Sequence, residues 1–450
     1  MELGSVHVPR KGRRGRPGWF VIILSLALSL VKVGAAAGQV PAASADSALL
    51  ELLRSANPEL AAGRAAVAAA EARQRATGFA PPVSLSVEAE EIPSGVDLSR
   101  ATASVGLERE FFPRGQRAAA QAVAGVDVRS ARAQVELTEQ RLLAEARRGL
   151  VRVAGGERMA RRLAAEDSLL EGAESALRSR FSVGEARYVD VLRLRTERLR
   201  IQSSRAEALA EVRAGRSILE ALLGGAPGGE AATRLGGLLE AALGDTLASA
   251  PDVAALLAGS PAVRLAELAL ERARAERALV LAGQRPRISA AAGLQRFEGE
   301  DGFVVGPALG LSVSLPGTAR AANRTALGAA DAAVAAAEAR RAATVASVRG
   351  ALLTALVRYE AARERLALFD AALLRGARQE REAALAAYAS GDLSLLELID
   401  FERALARAEI ERIRTLTDAA DAYAALLSAA AGTGAESESP TLRPTNDDDR

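Results

Sequence analysis

Two long stretches of this chain, Arg114 to Arg180 and Thr318 to Ala389, contain no proline. As continuous helix each reaches ~100 Å at 1.5 Å per residue, far more than a globular core accommodates. Leu163, Leu170 and Leu177 recur every seven residues, and Leu366, Phe369 and Leu373 follow an i, i+3, i+7 pattern. Both are coiled-coil seams. Gly155-Gly156 marks an expected kink in the first helix. An alanine-rich antiparallel helix is expected to return over 187–223 and again over 393–430.

The chain states this plan twice. Asn57-Pro58-Glu59-Leu60 is echoed by Ser260-Pro261-Ala262-Val263, and Phe112-Pro113-Arg114-Gly115-Gln116-Arg117 by Leu315-Pro316-Gly317-Thr318-Ala319-Arg320. Phe181-Ser182-Val183-Gly184 is echoed by Tyr388-Ala389-Ser390-Gly391. Spacing of this size duplicates a whole structural unit; it is not a solenoid repeat.

Ahead of each long helix the periodicity drops to two. Val83, Leu85, Val87 and Ala89 alternate with Ser84, Ser86, Glu88 and Glu90, and Ala103, Val105 and Leu107 with Thr102, Ser104, Gly106 and Glu108. Ile288, Ala290, Ala292 and Leu294 form one row of the second pair, and Val305, Leu309, Leu311 and Val313 the other. Alternation predicts strands, and the turns at Pro93-Ser94-Gly95 and Glu298 to Gly302 predict two hairpins. The expected organisation is a signal peptide (1–38), a first repeat (39–224, hairpin 82–110) and a linker or equatorial segment (225–259). A second repeat (260–432, hairpin 286–315) and a disordered Ser/Pro/Asp-rich tail (433–450) follow.

Composition narrows the chemistry. The chain has no cysteine, and its single histidine and single tryptophan are His7 and Trp19. Arg10, Lys11, Arg13, Arg14 and Arg16 precede an apolar run from Trp19 to Val31, with small residues at Ala35-Ala36-Ala37 and Ala43-Ser44-Ala45. This is the pattern of a secretory signal, the alternative being a retained anchor. A chain without Cys or His holds no thiol nucleophile, His-based triad or His/Cys zinc site. No cofactor, no metal and no enzymatic activity are expected. The formal charge of +2 falls to −3 without residues 1–38, which hold six Lys/Arg and one Glu. The remaining arginines are interspersed with acids, so nucleic acid is not an expected partner.

Phe79, Phe111, Phe112, Phe297 and Phe303 lie at or just beyond strand ends. They fit either core anchors or an interfacial aromatic girdle around membrane strands. The secretion signal and the absence of span-length apolar helices favour the membrane reading. Four strands cannot close a barrel, and an open sheet edge in hydrocarbon leaves backbone groups unpaired. Several copies must therefore share one barrel, and geometry alone does not choose between two and three.

The duplicated motifs resemble the TolC-type outer-membrane efflux proteins. Phe181-Ser182-Val183-Gly184 followed by Val189-Asp190-Val191-Leu192 looks like that family's helix-turn signature. Tyr388-Ala389-Ser390-Gly391 followed by Leu395-Leu396-Glu397-Leu398-Ile399 is a weaker second copy, and Asn57-Pro58-Glu59-Leu60 resembles the N-terminal motif. With the hairpins, the resemblance covers roughly residues 46–432. The fold class it implies is mainly α with membrane β: a duplicated helix–β-hairpin–long helix–helix unit in a homotrimer. A 12-stranded barrel in the cell outer membrane, in contact with its lipid, is continued by an α-helical coiled-coil barrel in the periplasm. The implied function is a passive exit duct working with a periplasmic adaptor and an inner-membrane pump. Phe181, Val183, Gly184, Tyr388, Ser390 and Gly391 become tip or adaptor-contact residues, and Arg187, Tyr188, Asp190 and Asp392 candidate aperture residues. The glycines equally fit plain helix ends, and the charges a solvated tip. Relatives close to the archetype carry an arginine two residues after the second glycine. This chain has Leu393 there, so that charged link does not carry over.

Asp167, Asp190, Asp392 and Asp400 are candidates for biasing the pore towards cations, or else ordinary partners of nearby arginines. The competing class is a periplasmic coiled-coil adaptor or scaffold, which leaves the two hairpins unexplained. An enzyme using Glu88 and Glu90 lacks any substrate cleft.

Overall fold

The computed structural model describes residues 42–90, 102–113, 115–244, 249–299, 302–314 and 320–432. The expected signal segment, the Pro93-Ser94-Gly95 turn, the Leu315 to Ala319 echo and the tail lie outside the described residues.

Helices α1 (Ala42–Ala56) and α2 (Pro58–Ala76) lead into strands β1 (Val83–Glu90) and β2 (Thr102–Phe111). Helices α3 (Gln116–Ser182) and α4 (Tyr188–Leu222) follow, then the short α5 (Gly229–Ala241) and α6 (Val253–Ala258). The second half runs α7 (Pro261–Gly283), β3 (Arg287–Gly299), β4 (Gly302–Ser314) and α8 (Arg320–Leu368). A π-helical turn (Phe369–Leu373) passes into α9 (Leu374–Ser390), and α10 (Leu395–Ala431) closes the order.

The 67-residue α3 is the spine. Against its first part lies α2, and against its last part α4, so two shorter helices laid end to end match one long one. Asn57 makes that joint: its side chain accepts from the Leu60 N–H (3.1 Å) and donates to the Leu222 carbonyl (2.7 Å), tying the start of α2 to the end of α4. A core of Leu53, Leu60, Leu142, Leu219 and Leu222 fills the joint, with α1 and α5 packed over it. In the second half α6 covers the corresponding level through Leu256 and Leu257, against Leu352, Tyr359 and Leu426. Arg141–Glu59 and Arg264–Glu136 (2.5 Å each), Arg341–Glu267 (2.8 Å) and Arg129–Glu271 bridge neighbouring helices. Each pair is half-exposed and contributes only about 0–1 kcal/mol, so they set register more than stability.

The seams differ between the halves. Leu163, Leu170 and Leu177 are all buried, as a heptad requires. Helix α3 runs without interruption through Gly155-Gly156, where a kink was expected. Those glycines serve close packing: a Cβ on Gly155 would stand 2.6 Å from Thr417 Oγ1, and one on Gly156 2.8 Å from Val212 Cγ2. The irregularity falls in the other half. The π-turn inserts one residue, so the buried seam passes from Leu366 to Leu374 and leaves Leu373 exposed.

The two hairpins form one antiparallel sheet, order β1-β2-β3-β4, through a β2–β3 ladder running from Ala103↔Arg296 to Phe111↔Ile288. Register puts Leu85, Leu107, Ala292 and Leu309 in one cross-strand row and Val87, Val105, Leu294 and Pro307 in the next. The opposite face carries Ser84, Glu108, Ala291 and Gly310, then Glu88, Ser104, Gln295 and Gly306. β1 and β4 are open edges among the described residues.

Candidate functional site: the sheet and the helix-turn tips

The apolar face of the sheet has no cover among the described residues. Leu85, Leu107, Leu294, Leu309 and Leu311 are all more than half exposed, Leu309 at 87%. The polar face is concave, its trough lined by side chains including Ser86, Glu88, Glu108, Ser289, Gln295 and Ser312. Gly293 permits the curl: a Cβ there would stand 2.4 Å from the Val105 carbonyl oxygen. A soluble sheet hides its apolar face and wets its polar one. This sheet exposes the apolar face entire.

The candidate interface aromatics divide between the two ends of the sheet. Phe111 pairs with Ile288 beside the helices, with Phe112 next in sequence and Phe79 ahead of β1. They are 48%, 45% and 73% exposed, which is not the burial of core anchors. Phe297 and Phe303 occupy the far end of the β3–β4 ladder. No helix among the described residues is long and apolar enough to cross a membrane.

At the other end of the long helices, the two signature segments close in the same way. The Glu185 N–H donates to the Arg180 carbonyl (2.9 Å) and the Gly184 N–H to Phe181 (3.0 Å). In the second copy the Asp392 N–H donates to Ala387 (2.9 Å) and the Gly391 N–H to Tyr388 (3.2 Å). Both are Schellman caps. Gly184 and Gly391 take φ of 81° and 86°, the left-handed region a β-carbon disfavours. Each new helix begins four residues beyond its glycine. At the first tip, Phe181 and Tyr188 rings lie 5.4 Å apart, and Arg187 pairs with Asp190 at 3.5 Å. At the second, Ser394 and Glu397 form a capping box, and the Ser394 N–H holds the Glu397 carboxyl below its ordinary value. The Ser390 hydroxyl donates to the Asp392 carboxylate at 2.6 Å. Val183 is exposed, and Tyr388 is partly so.

The four carboxylates singled out for cation bias each have a partner: Asp167 has Arg198 (3.1 Å), Asp190 has Arg187, Asp400 has Arg403 (3.5 Å) and Asp392 has Ser390. A junction the sequence reading passed over lies slightly above. Arg403 reaches from α10 to Glu197 of α4 at 2.5 Å, beside Glu166 of α3, which is 4% exposed with Oε2 unpartnered. The signal was present: Glu166 falls within the Leu163/Leu170 seam, and Arg403 falls on the Ile399/Ala406/Ile410 seam. A charge on a buried seam needs a partner.

Residues 253–432 match the family model for the outer membrane efflux protein. The second half of the chain is similar to the outer membrane efflux proteins. Over those residues it is similar to the TolC-type outer-membrane efflux proteins. The fold agrees across both halves. A membrane protein from Pseudomonas aeruginosa superposes with a TM-score of 0.68 at 19% identity, covering 86% of this chain and 92% of that one. The open-state MtrE outer membrane channel of Neisseria gonorrhoeae gives 0.67 at 17%, covering 86% and 88%. The CmeC outer membrane channel of Campylobacter jejuni gives 0.66 at 13%, covering 88% and 87%. No match to a curated protein sequence was found. The efflux family is one of channels, not enzymes, and efflux through the outer membrane is the general function it supports.

Proposed function

We propose that the protein is the exit duct of a tripartite efflux or secretion system. Three copies each contribute the four-stranded sheet, the β1 edge of one pairing with the β4 edge of the next, to close a 12-stranded barrel. The carrying observation is the sheet itself: two open edges, a complete exposed apolar face and a concave polar one. Hydrocarbon tolerates that sheet only when the edges are paired. The apolar rows then face lipid, the trough becomes lumen, and Phe79, Phe111 and Phe112 mark one interface while Phe297 and Phe303 mark the other.

The helix–hairpin–long helix–helix unit is duplicated, and its long helices continue the barrel as a tunnel into the periplasm. Conduction is passive, driven by an inner-membrane pump. The tips carrying Phe181, Val183, Gly184, Tyr388, Ser390 and Gly391 meet the periplasmic adaptor, and Arg187, Tyr188, Asp190 and Asp392 border the aperture. With Leu393 at the position of the archetype's arginine, Asp392 is held by Ser390 of its own turn. Closure here then rests on short-range bonds within each tip.

Envelope fractionation and the mass of the detergent-extracted protein test the proposal. A trimer in the outer-membrane fraction that conducts in planar bilayers is expected. A soluble periplasmic monomer or dimer would overturn it and favour an adaptor or scaffold.

A further inference from the structure

The first tip is far more basic than the second. Residues 178–205 carry eight arginines against Glu185, Asp190 and Glu197, a net +5; the matching residues 385–412 carry three arginines against six carboxylates, a net −3. We propose that the groove between α4 and α10, just above the turns, docks a partner helix that presents carboxylates. This deepens the adaptor reading and rests on it, supplying the chemistry of the partner.

The two helices run in parallel away from the tips along α3: Ile399 joins Val191 and Leu194 in one buried cluster with α3, Arg403 meets Glu197, and Ile410 joins Ala208 in the next cluster. The groove between them, a cleft of about 590 Å³, is lined by Arg193 and Arg200 from α4 and Arg403 and Arg407 from α10, with Glu197 and Asp400 between. Glu197 is already shared by Arg200 (3.2 Å) and Arg403 (2.5 Å), and Asp400 lies 3.5 Å from Arg403. Arg193 and Arg407 are exposed, and neither has a carboxylate within ion-pair distance among the described residues. Arg403 is 9% exposed, and its Nε has no acceptor. Even with the buried Glu166 beside Arg403 and Arg407 counted, four guanidiniums meet three carboxylates, an excess of positive charge in the groove. Guanidinium forks bind carboxylates in bidentate fashion.

A helix suits the groove better than a small anion. Arg193 and Arg200 are spaced i, i+7, giving a ladder ~10 Å long that matches carboxylates two turns apart on a facing helix. Val183, Val189 and Leu192, all exposed at the same end, add an apolar contact beside the charged one, the usual composition of a protein interface.

The test uses the full chain in detergent and two synthetic helical hairpins, identical except for a row of Glu or Gln at i, i+7 on one face. Fluorescence anisotropy should give at least about tenfold tighter binding for the Glu hairpin at low salt, with most of that advantage lost at ~0.5 M salt. Replacing both arginines, R193Q/R407Q, should cost the Glu hairpin about tenfold and leave the Gln hairpin unchanged. R193K/R407K, which keeps the charge but not the bidentate fork, should restore only part of the loss, and R213Q, exposed higher on α4, should have no effect. Equal affinity for the two hairpins, no binding by either, or an unaffected R193Q/R407Q would each overturn the proposal. If the same preparation is trimeric and conducts in bilayers, such a failure removes the docking inference alone. If it neither assembles nor conducts, the duct reading falls.

Discussion

Glu166 is enclosed by three helices: Arg162 precedes it on α3, Glu197 faces it from α4, and Arg403 and Arg407 face it from α10. Burial raises its carboxyl above the ordinary value, against the lowering fields of those three arginines and with a smaller raising contribution from Glu197. A raised value in the fold means the protonated form stabilises it. That stabilisation is complete below the unfolded-state value of about 4.3 and is lost as pH rises through the folded-state value. Glu166→Gln keeps the site neutral throughout. The variant should melt above the wild type at neutral pH, by about 1 kcal/mol, and the gap should close on acidification. Thermal melts across that range check it; a gap independent of pH would mean the carboxyl does not titrate there. Arg187 and Asp190, and Ser394 and Glu397, by contrast, pair three residues apart within one turn, so the Arg187–Asp190 contact lies within a single helix start and not between helices.

At the scale of elements, the π-turn is the feature with the clearest consequence. It adds one residue between Leu366 and Leu374, which otherwise would fall on the heptad, while Asp370 stays bonded to Arg412 of α10. Deleting Ala371 should convert the turn to regular α-helix and bring the old Leu374 into the seven-residue spacing from Leu366. Assembly and thermal midpoint should be largely preserved. Deleting Ala164, on the uninterrupted Leu163/Leu170 seam, should rotate every later seam residue by ~100° and abolish assembly. Oligomeric mass and melts of the two deletions decide the point; equal damage would mean the π-turn carries a further role. The long helices, to within two residues at their outer ends, and the existence of the four strands were legible beforehand because periods of 3.6 and 2 are local properties; the strand ends and the shorter helices α1, α5, α6 and α7 were not. The position of the irregularity was not. Gly155-Gly156 advertise a break, yet Thr417 and Val212 occupy the space beside them.

Across the whole molecule, three copies of each tip converge in the proposed duct, so one charge change is made three times in a narrow ring. Asp392→Arg removes the carboxylate that accepts from the Ser390 hydroxyl and replaces three negative charges at the proposed aperture with three positive ones. Basal leak conductance in planar bilayers should change; an unaltered conductance would remove Asp392 from the aperture. The sequence by itself determined the two long helices, the two hairpins, the capped turns and the exclusion of Cys- or His-based chemistry, because propensity, alternation and residue inventory need no partner. Only the tertiary structure decided that β2 pairs with β3 to merge the hairpins, that Asn57 splices two helices against one, and that Glu166, Glu197 and Arg403 meet. Those contacts join residues distant in sequence, and such pairings are fixed by packing energy summed over the assembled helices.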